Sequence, residues 1–325
     1  MKIASLIFRL LLSATPLGLG AILAHAQSYP TKPIHIVVPY GAGGGTDLVY
    51  RALAPMLGEI LGQQIIIVNK PGGASTIGLD IVAKALPDGH TIAVGNIAYG
   101  ANPSLMKKMP FDAGKDLLPV SLVSTLPLVL VVNPSLPIRE VHQLISYAKA
   151  NPGKLNYSSA GNGSGNHLAA ELFNYMAGLK MQHIPYKGGS PAVLSTMSGD
   201  TDILFASIPT AIQYLPSMKL IPLAVTSARP TSFLPAIPTI SEVALPGFEA
   251  VEWNGIFVPA STPVIVVRTL NLAFVKALAH PDIKAKLAAL GADPVGSTPE
   301  DFAAFISKEI ITWGKVVKEA GITID

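Results

Sequence analysis

The sequence predicts an α/β protein of two lobes with a ligand cleft between them. Short runs rich in β-branched residues alternate with helical patterns over most of the 325 residues, and this alternation is typical of βαβ units whose helices cover a parallel sheet. Two strongly apolar stretches, 126–134 and 253–259, mark candidate crossings between two such lobes. Two crossings form a hinge, and a cleft between hinged lobes is a common place for a ligand.

The first 26 residues have the pattern of a secretory signal. Lys2 and Arg9 accompany a stretch of apolar and small residues that closes on the sequence AHA at 24–26, which is a small-residue cleavage site. Pro16 and the short apolar part argue against a membrane anchor. We therefore expect export and cleavage after Ala26.

The composition of the remaining chain excludes several classes of protein. Loss of the two basic residues lowers the net charge from +3 to about +1, which argues against nucleic-acid binding. The chain has no cysteine, so disulfides and thiolate metal sites are ruled out. What remains is long enough for two domains of ordinary size.

The first lobe begins with three near-continuously apolar runs, which predict strands buried on both faces of a sheet. They span 34–40, 64–69 and 90–96. Between the first two, apolar residues from Leu48 to Leu61 recur at helical spacing. Pro55 falls inside this pattern, and a proline removes a backbone hydrogen bond, so we expect a kink or a break there.

A second set of βα units follows the apolar stretch 126–134. Helical patterns and strands alternate up to residue 226, and the proline-rich segment 227–253 predicts irregular structure. A strand near 255–260 and three helical patterns complete the chain. We therefore assign residues 27–126 and 253–325 to the first lobe and 127–252 to the second.

Four places share one local design, in which a strand leads through a loop of small residues into a helix. The loops are GAGGGTD (41–47), SSAGNGSGNH (158–167), KGGS (187–190) and ASIP (206–209). Small residues let a ligand approach the backbone, and a helix N-terminus attracts an anion. Because ligands of α/β sheets gather at the carboxyl ends of strands, these loops predict a carboxylate or phosphate held from both lobes.

Other chemistries fit the loops poorly. A dinucleotide fingerprint needs glycine where Thr46 stands and an acidic residue near Asn69, and no Walker A lysine follows the glycines. A nucleophile elbow at Ser190 lacks the next amide, because Pro191 has no N–H; we predict instead that Ser190 caps a helix. The histidines show no metal-binding spacing. We expect no metal, cofactor or catalytic group.

With these loops aligned, the chain resembles the Bug family, the extracytoplasmic solute receptors of tripartite tricarboxylate transporters. The matching stretches include VPYGAGGGTDLVYR, VNKPGGASTIG, ALPDGHT, YSSAGNGSGNHLAAELF, HIPYKGGSPA and LGADPVGSTPEDFAAFI. The resemblance implies a periplasmic binding protein of the two-lobed Venus-flytrap type (type II) without enzymatic activity. It also implies a carboxylated ligand, transmembrane permease subunits as partners, and backbone amides of the glycine loops as the ligand's donors.

The residues that we expect at the ligand are Tyr40, Gly44, Gly45, Thr46, Asp47, Asn96, Ser159, Gly163, Ser164, His167, Tyr186 and Ser207. Several of them have an equally ordinary structural role. Asp47 favours a helix N-terminus, Thr46 is a candidate helix cap, and His167 fits a structural hydrogen bond. The ligand is left open among dicarboxylates, aromatic acids and amino acids, and the near-neutral chain favours a monomer.

Two alternatives remain open from the sequence. One is an exported α/β hydrolase that uses Ser190 or Ser164 as its nucleophile. The other is a receptor that reports its ligand to a membrane sensor rather than to a permease. The sequence contains no feature that separates sensing from transport.

Overall fold

A computed structural model describes residues 29–322; the expected signal and its cleavage site lie outside these residues. The first part of the chain forms β1 (Ile34–Val38), α1 (Gly45–Leu61), β2 (Ile65–Asn69), α2 (Thr76–Ala83), β3 (Thr91–Gly95), α3 (Ile97–Leu105) and β4 (Leu117–Val132). The three strands predicted in this part are confirmed as β1, β2 and β3. No single helix among the described residues is long and apolar enough to cross a membrane. The two helices 264–279 and 281–289 have the required length and apolar composition only when taken together, and they are bent by 75°.

The second part of the chain repeats the strand and helix alternation and then returns to the first sheet. It forms α4 (Val141–Ala150), β5 (Asn156–Ser159), α5 (Gly165–Ala177), β6 (Gln182–Pro185), α6 (Gly189–Ser198), β7 (Ile203–Ser207), α7 (Ile208–Ala211), β8 (Ile221–Val225), α8 (Ile240–Val243), β9 (Val251–Pro259), α9 (Val264–Ala279), α10 (Pro281–Ala289), β10 (Asp293–Pro294) and α11 (Pro299–Ala320).

One long strand, β4, belongs to two sheets. Its first part, from Leu117 to Pro127, pairs antiparallel with β9, and its last five residues, Leu128–Val132, pair with β7. The first sheet has the order β2-β1-β3-β9-β4, with β10 also on β4. In the second sheet β4 lies between β8 and β7, and β5 and β6 follow β7. The two sheets define a first and a second lobe.

Helices cover both faces of each sheet. In the first lobe α1, α9 and α10 pack on one face and α2, α3 and α11 on the other. Alternate residues of β4 enter two different cores of the second lobe, so Leu130 packs with α4 and α5 while Val131 packs with α6 and α7. Burial on both faces explains why these strands read as continuous apolar runs rather than as alternating ones.

Three expectations from the sequence need correction. The helix α1 continues without a break through Pro55, which faces solvent, where water can donate a hydrogen bond to the backbone carbonyl that lacks a partner in the helix. The strand predicted from 126 begins at Leu117, because β9 pairs with the earlier residues. The segment 227–253 contains one ordered helical turn, α8, whose capping box joins Thr239 and Glu242.

Two tryptophans meet at the junction of the lobes, on the side of α11. Trp253 on β9 is 1% exposed, and its Nε1 donates to Glu309 Oε2 at 2.8 Å. The Nε1 of Trp313 donates to the same oxygen at 3.2 Å. Burial is the largest cause that raises the pKa of Glu309, and it outweighs the opposing effect of the two indole donors.

Candidate functional site

Five helices begin where the two lobes face each other. Two belong to the first lobe and three to the second, and their N-caps are Gly44, Asn96, Ser164, Gly188 and Ser207. The first N–H groups of a helix have no partner within the helix, and its N-terminus carries a partial positive charge. Such a group of helix starts favours an anion between the lobes.

The glycines of these loops let the lobes come into contact. A Cβ on Gly45 would lie 2.7 Å from Ser207 Oγ, and a Cβ on Gly163 would lie 2.8 Å from the Cβ of Ala74. A Cβ on Gly44 would be in ordinary contact, 3.7 Å from the amide nitrogen of Gly189. The predicted site residues Gly45 and Ser207 therefore meet across the two lobes, whereas Gly163 meets the first lobe at a different place, beside Ala74.

Asp47 stabilises the first glycine loop, residues 41–47, through hydrogen bonds. Its side chain is fully buried and accepts hydrogen bonds from the Gly43 amide at 2.8 Å, from Arg51 Nε at 2.7 Å and from Asn69 Nδ2 at 2.9 Å. Burial alone would raise the pKa of Asp47, but these donors outweigh it and lower the pKa. The carboxylate therefore fixes the loop geometry through its hydrogen bonds.

Thr46 does not cap α1 as expected. The N-cap position is Gly44, which makes no side-chain hydrogen bond, and Thr46 lies within the first turn. Its side chain is buried at 4% exposure, and no hydrogen bond from its hydroxyl is found within residues 29–322.

The second-lobe loop is ordered by two of the predicted residues. Ser164 is the N-cap of α5 and its Oγ accepts from the His167 amide at 3.4 Å. The Gly163 amide, at φ +71°, donates to His167 Nδ1 at 3.1 Å. His167 therefore has the structural hydrogen bond that its position suggested, and an unprotonated Nδ1 is required to accept it.

A buried histidine, a half-buried histidine and a buried tyrosine stack beneath this loop. The rings of His167 and His183 lie 4.1 Å apart, and the ring of Tyr157 lies 4.9 Å from that of His183. Burial, and then the nearby His183, lowers the pKa of His167 to about 3, and burial lowers the pKa of His183 to about 4. Ser159 is fully buried, and its Oγ lies 2.6 Å from His183 Nε2, so it supports the loop from inside.

A chain of hydrogen bonds leads from the cleft to a buried glutamate that sequence reasoning missed. Ser75 Oγ donates to the Tyr40 hydroxyl at 2.7 Å, and Asn96 Nδ2 donates to the same hydroxyl at 2.7 Å. Asn96 Nδ2 also lies 3.2 Å from Glu252 Oε1. Burial raises the pKa of Glu252 to about 7, and the hydrogen bond from Asn96 opposes that effect. Glu252 lies within an apolar stretch, so only its place in the fold reveals it.

Ser190 joins the lobes instead of capping a helix. The helix α6 begins at Gly189 with Gly188 as its N-cap, and Ser190 Oγ donates to the carbonyl oxygen of Gly43 at 2.8 Å. The helix begins two residues earlier than expected, because Gly188 adopts a φ of +124° that favours glycine. Neither Ser190 nor Ser164 has a histidine side chain as a hydrogen-bond partner within residues 29–322.

A cavity of about 580 Å³ opens beside these helix starts and is lined by both lobes. Its walls are Pro39, Tyr40, Met106 and residues 71–75 of the first lobe, and residues 160–162 and 185–187 of the second. Tyr40 and Tyr186 are the two predicted residues that line it. The hydroxyl of Tyr186 lies 2.6 Å from Ser195 Oγ, so its ring rather than its hydroxyl faces the cavity.

Sequence reasoning missed most of this wall. Residues 71–75 belong to a loop of the same design as the four already described, since it connects β2 with α2 and contains Gly72 and Gly73. Ala74 and Ser75 both have positive φ angles, of 52° and 74°, which are uncommon outside glycine. The strand, glycine and helix order of VNKPGGASTIG was the available signal. No cluster of three potential metal ligands occurs among residues 29–322.

The chain is similar to known proteins over most of its length. The family model described as tripartite tricarboxylate transporter family receptor matches residues 49–322. Protein BugT of Bordetella pertussis is 36% identical over 300 residues, which cover 91% of this chain and 91% of BugT.

Three solved structures are similar over nearly the whole chain. R. palustris Rpa4515 with adipate has a TM-score of 0.87 at 35% identity, and periplasmic binding protein BugD has 0.87 at 32%; each match covers 91% of this chain and 99% of the other. MatC (Rpa3494) from Rhodopseudomonas palustris with bound malate has a TM-score of 0.85 at 32% identity, covering 89% and 100%. The expected two-lobed α/β fold of a periplasmic binding protein is confirmed.

Proposed function

Because the chain belongs to the tripartite tricarboxylate transporter receptor family, we propose that it captures a small carboxylate in the periplasm and delivers it to the transmembrane permease subunits of such a transporter. The family consists of solute-binding receptors of the Bug type rather than of enzymes. Adipate and malate, the ligands in two similar structures, support a carboxylate as the ligand of this chain.

One observation carries the proposal: helix starts of both lobes lie along the same boundary, with the start of α1 against α7 and the start of α5 against α3. The amides of Gly45 and Thr46 on one side and of Gly165 on the other are the first donors of these helices, and we assign the ligand carboxylate to them. The Thr46 and Ser164 hydroxyls add two donors. The body of the ligand then occupies the 580 Å³ cavity, whose one charged wall residue is Lys187.

We further propose that the lobes are limited to 27–126 with 253–325, and to 127–252, and that the protein is exported and acts as a monomer. The change of partner along β4 supports the first limit to within one residue, because Pro127 still pairs with β9 whereas Leu128 pairs with β7. A strand shared by two sheets is suited to a hinge, since a small rotation there moves both helix starts.

A thermal-shift screen of residues 27–325 tests the function. The panel contains adipate, malate, tricarboxylates, aromatic acids and acidic amino acids. A ligand present at 100 times its dissociation constant stabilises the protein by about 2.7 kcal/mol. We expect at least one carboxylate to raise the midpoint of unfolding, and the double variant Thr46→Ala, Ser164→Ala to lose that increase.

The control for this variant is Thr298→Ala. Thr298 is exposed and caps α11 through the Asp301 amide, and loss of the cap at Ser164 or at Thr298 costs about 1 kcal/mol. Thr298→Ala should therefore lower the midpoint without ligand and keep the full ligand shift. If no carboxylate of the panel stabilises the wild type, the proposed function is wrong. Uptake of the identified acid in a deletion strain separates transport from sensing.

A further inference from the structure

Glu252 is a buried carboxyl group between the two lobes. It lies on β9, is 7% exposed, and packs against the first residue of α5, because a Cβ on Gly165 would lie 3.5 Å from its Cδ. Its one hydrogen bond within residues 29–322 comes from Asn96, the N-cap of α3. Glu252 is thus placed against the start of one second-lobe helix and bonded to the start of one first-lobe helix.

A ligand carboxylate and an ionised Glu252 would compete for the same helix start. The proposed function places the ligand at the N-terminus of α5, and Gly165 is the first residue of that helix. A helix N-terminus compensates about half of an elementary charge. Two carboxylates at one such terminus repel each other, and like charges at short range favour the protonated form of one of them.

No charged side chain within residues 29–322 compensates Glu252 by an ion pair. None of the ion pairs within residues 29–322 involves it. Its partner across the sheet on β4 is Leu126, and the loop after β1 contributes Tyr40, whose phenol is neutral because burial raises its pKa above its usual range. On α5 the nearest titratable residue in sequence is His167, which is neutral near pH 7 because its pKa is about 3.

We propose that binding of an anionic ligand in the cleft is coupled to the uptake of one proton by Glu252. This inference rests on the proposed function, and it concerns how the same site is regulated. Above neutral pH the free receptor carries an ionised Glu252, so binding must also protonate this group and the affinity decreases. Below neutral pH the carboxyl is already protonated, and the affinity reaches its maximum.

Calorimetric titration with the panel carboxylate of highest affinity tests the coupling. Because the pKa of Glu252 is about 7, the dissociation constant should rise about tenfold from pH 6 to pH 8, where simple carboxylates stay ionised. Titrations at pH 8 in two buffers of different ionisation enthalpy should give an uptake of about one proton for each ligand. Glu252→Gln should bind with equal affinity at both pH values and take up no proton.

Glu309→Gln is the matched control. Glu309 is also a buried carboxyl with a raised pKa, but it is bonded to the two indoles on the α11 side of the junction. It should keep the wild-type pH dependence. If the wild type binds a carboxylate with equal affinity at pH 6 and pH 8 and without proton uptake, the coupling is wrong and the proposed function stands. An affinity that rises with pH also overturns it, since Glu252 would then accept a hydrogen bond from the ligand.

The wild-type proton count decides the matter even where Glu252→Gln fails to fold. If no carboxylate of the panel binds at either pH, the proposed function and this inference both fail.

Discussion

Replacement of Gly41 by alanine should hold the lobes apart. A Cβ on Gly41 would lie 2.5 Å from the carbonyl oxygen of Lys187, a backbone atom of the other lobe. To reach the 3.4 Å of ordinary contact, the two loops must separate by about 0.9 Å. The same movement would lengthen the 2.8 Å hydrogen bond from Ser190 Oγ to the Gly43 carbonyl to about 3.7 Å, which is no longer a hydrogen bond.

The energetic cost falls only on the closed form, in which the two lobes are in contact. Loss of one hydrogen bond costs about 1 kcal/mol, and crowding by one methyl group costs at least about 1 kcal/mol more. The closed form is then destabilised by about 2 kcal/mol, which weakens ligand binding about thirtyfold. Gly41 has a backbone conformation open to alanine, so the free energy of unfolding without ligand should stay near that of the wild type.

Calorimetric titration with the panel carboxylate and small-angle scattering of the saturated protein test this expectation. Gly41→Ala should bind about thirtyfold more weakly and keep a larger radius of gyration than the liganded wild type. Gly114→Ala is the control, because its Cβ would be exposed and 3.5 Å from its nearest neighbour, Asp112 Oδ1. If Gly41→Ala binds within threefold of the wild type and becomes equally compact, the contact does not limit closure.

Two further predictions concern the supports of the loops. The pKa of His183 is lowered in the folded protein to about 4, so its contribution to stability is complete above its unfolded pKa of about 6.5 and is lost as the pH falls toward 4; relative to His183→Gln, the wild type should lose up to about 1.4 kcal/mol of unfolding free energy per pH unit in this range. Equal changes in the urea-derived unfolding free energy of the two proteins between pH 7 and pH 4 would contradict this. Asp47→Asn exchanges an acceptor for a donor facing the Gly43 amide or Arg51, and urea unfolding should show a loss of about 1–3 kcal/mol. Glu319→Gln is the control, because it removes only an exposed ion pair with Lys315, whose two atoms lie 3.9 Å apart. It should lower the unfolding free energy by about a few tenths of a kcal/mol. An equal loss in both variants would contradict the role assigned to Asp47.

Strand and helix periodicity was sufficient to predict the α/β class and most elements, because buried parallel strands and amphipathic helices leave local patterns. The order of pairing was not predictable in this way. β4 and β9 run antiparallel, and their contact joins Leu117 to Pro259, which is a relation between residues more than a hundred positions apart. The parallel βαβ units predicted for both lobes are found in β1–β3 and in β5–β7.

The candidate site was likewise predictable only where its features are local in the sequence. The glycine loops were recognisable because a backbone that approaches another chain segment requires small residues locally. The side chains that support them were not, since Glu252 reads as one polar residue in an apolar strand and its partner Asn96 is 156 positions away. Similarly, Ser159 was expected at the ligand, but its bond to His183 arises only when β5 and β6 pair.

The pair of indoles at Glu309 gives the protein a built-in optical signal. Trp253 and Trp313 are the only tryptophans of the chain, and neither lines the cavity between the lobes. No tryptophan lines the cavity assigned to the acid, so a change in tryptophan emission on binding is expected to arise from movement at the junction, where the two indoles share one carboxylate oxygen. Emission of the unlabelled protein thus reports closure separately from occupancy, and the rate of closing can be followed by stopped-flow mixing without attaching a dye.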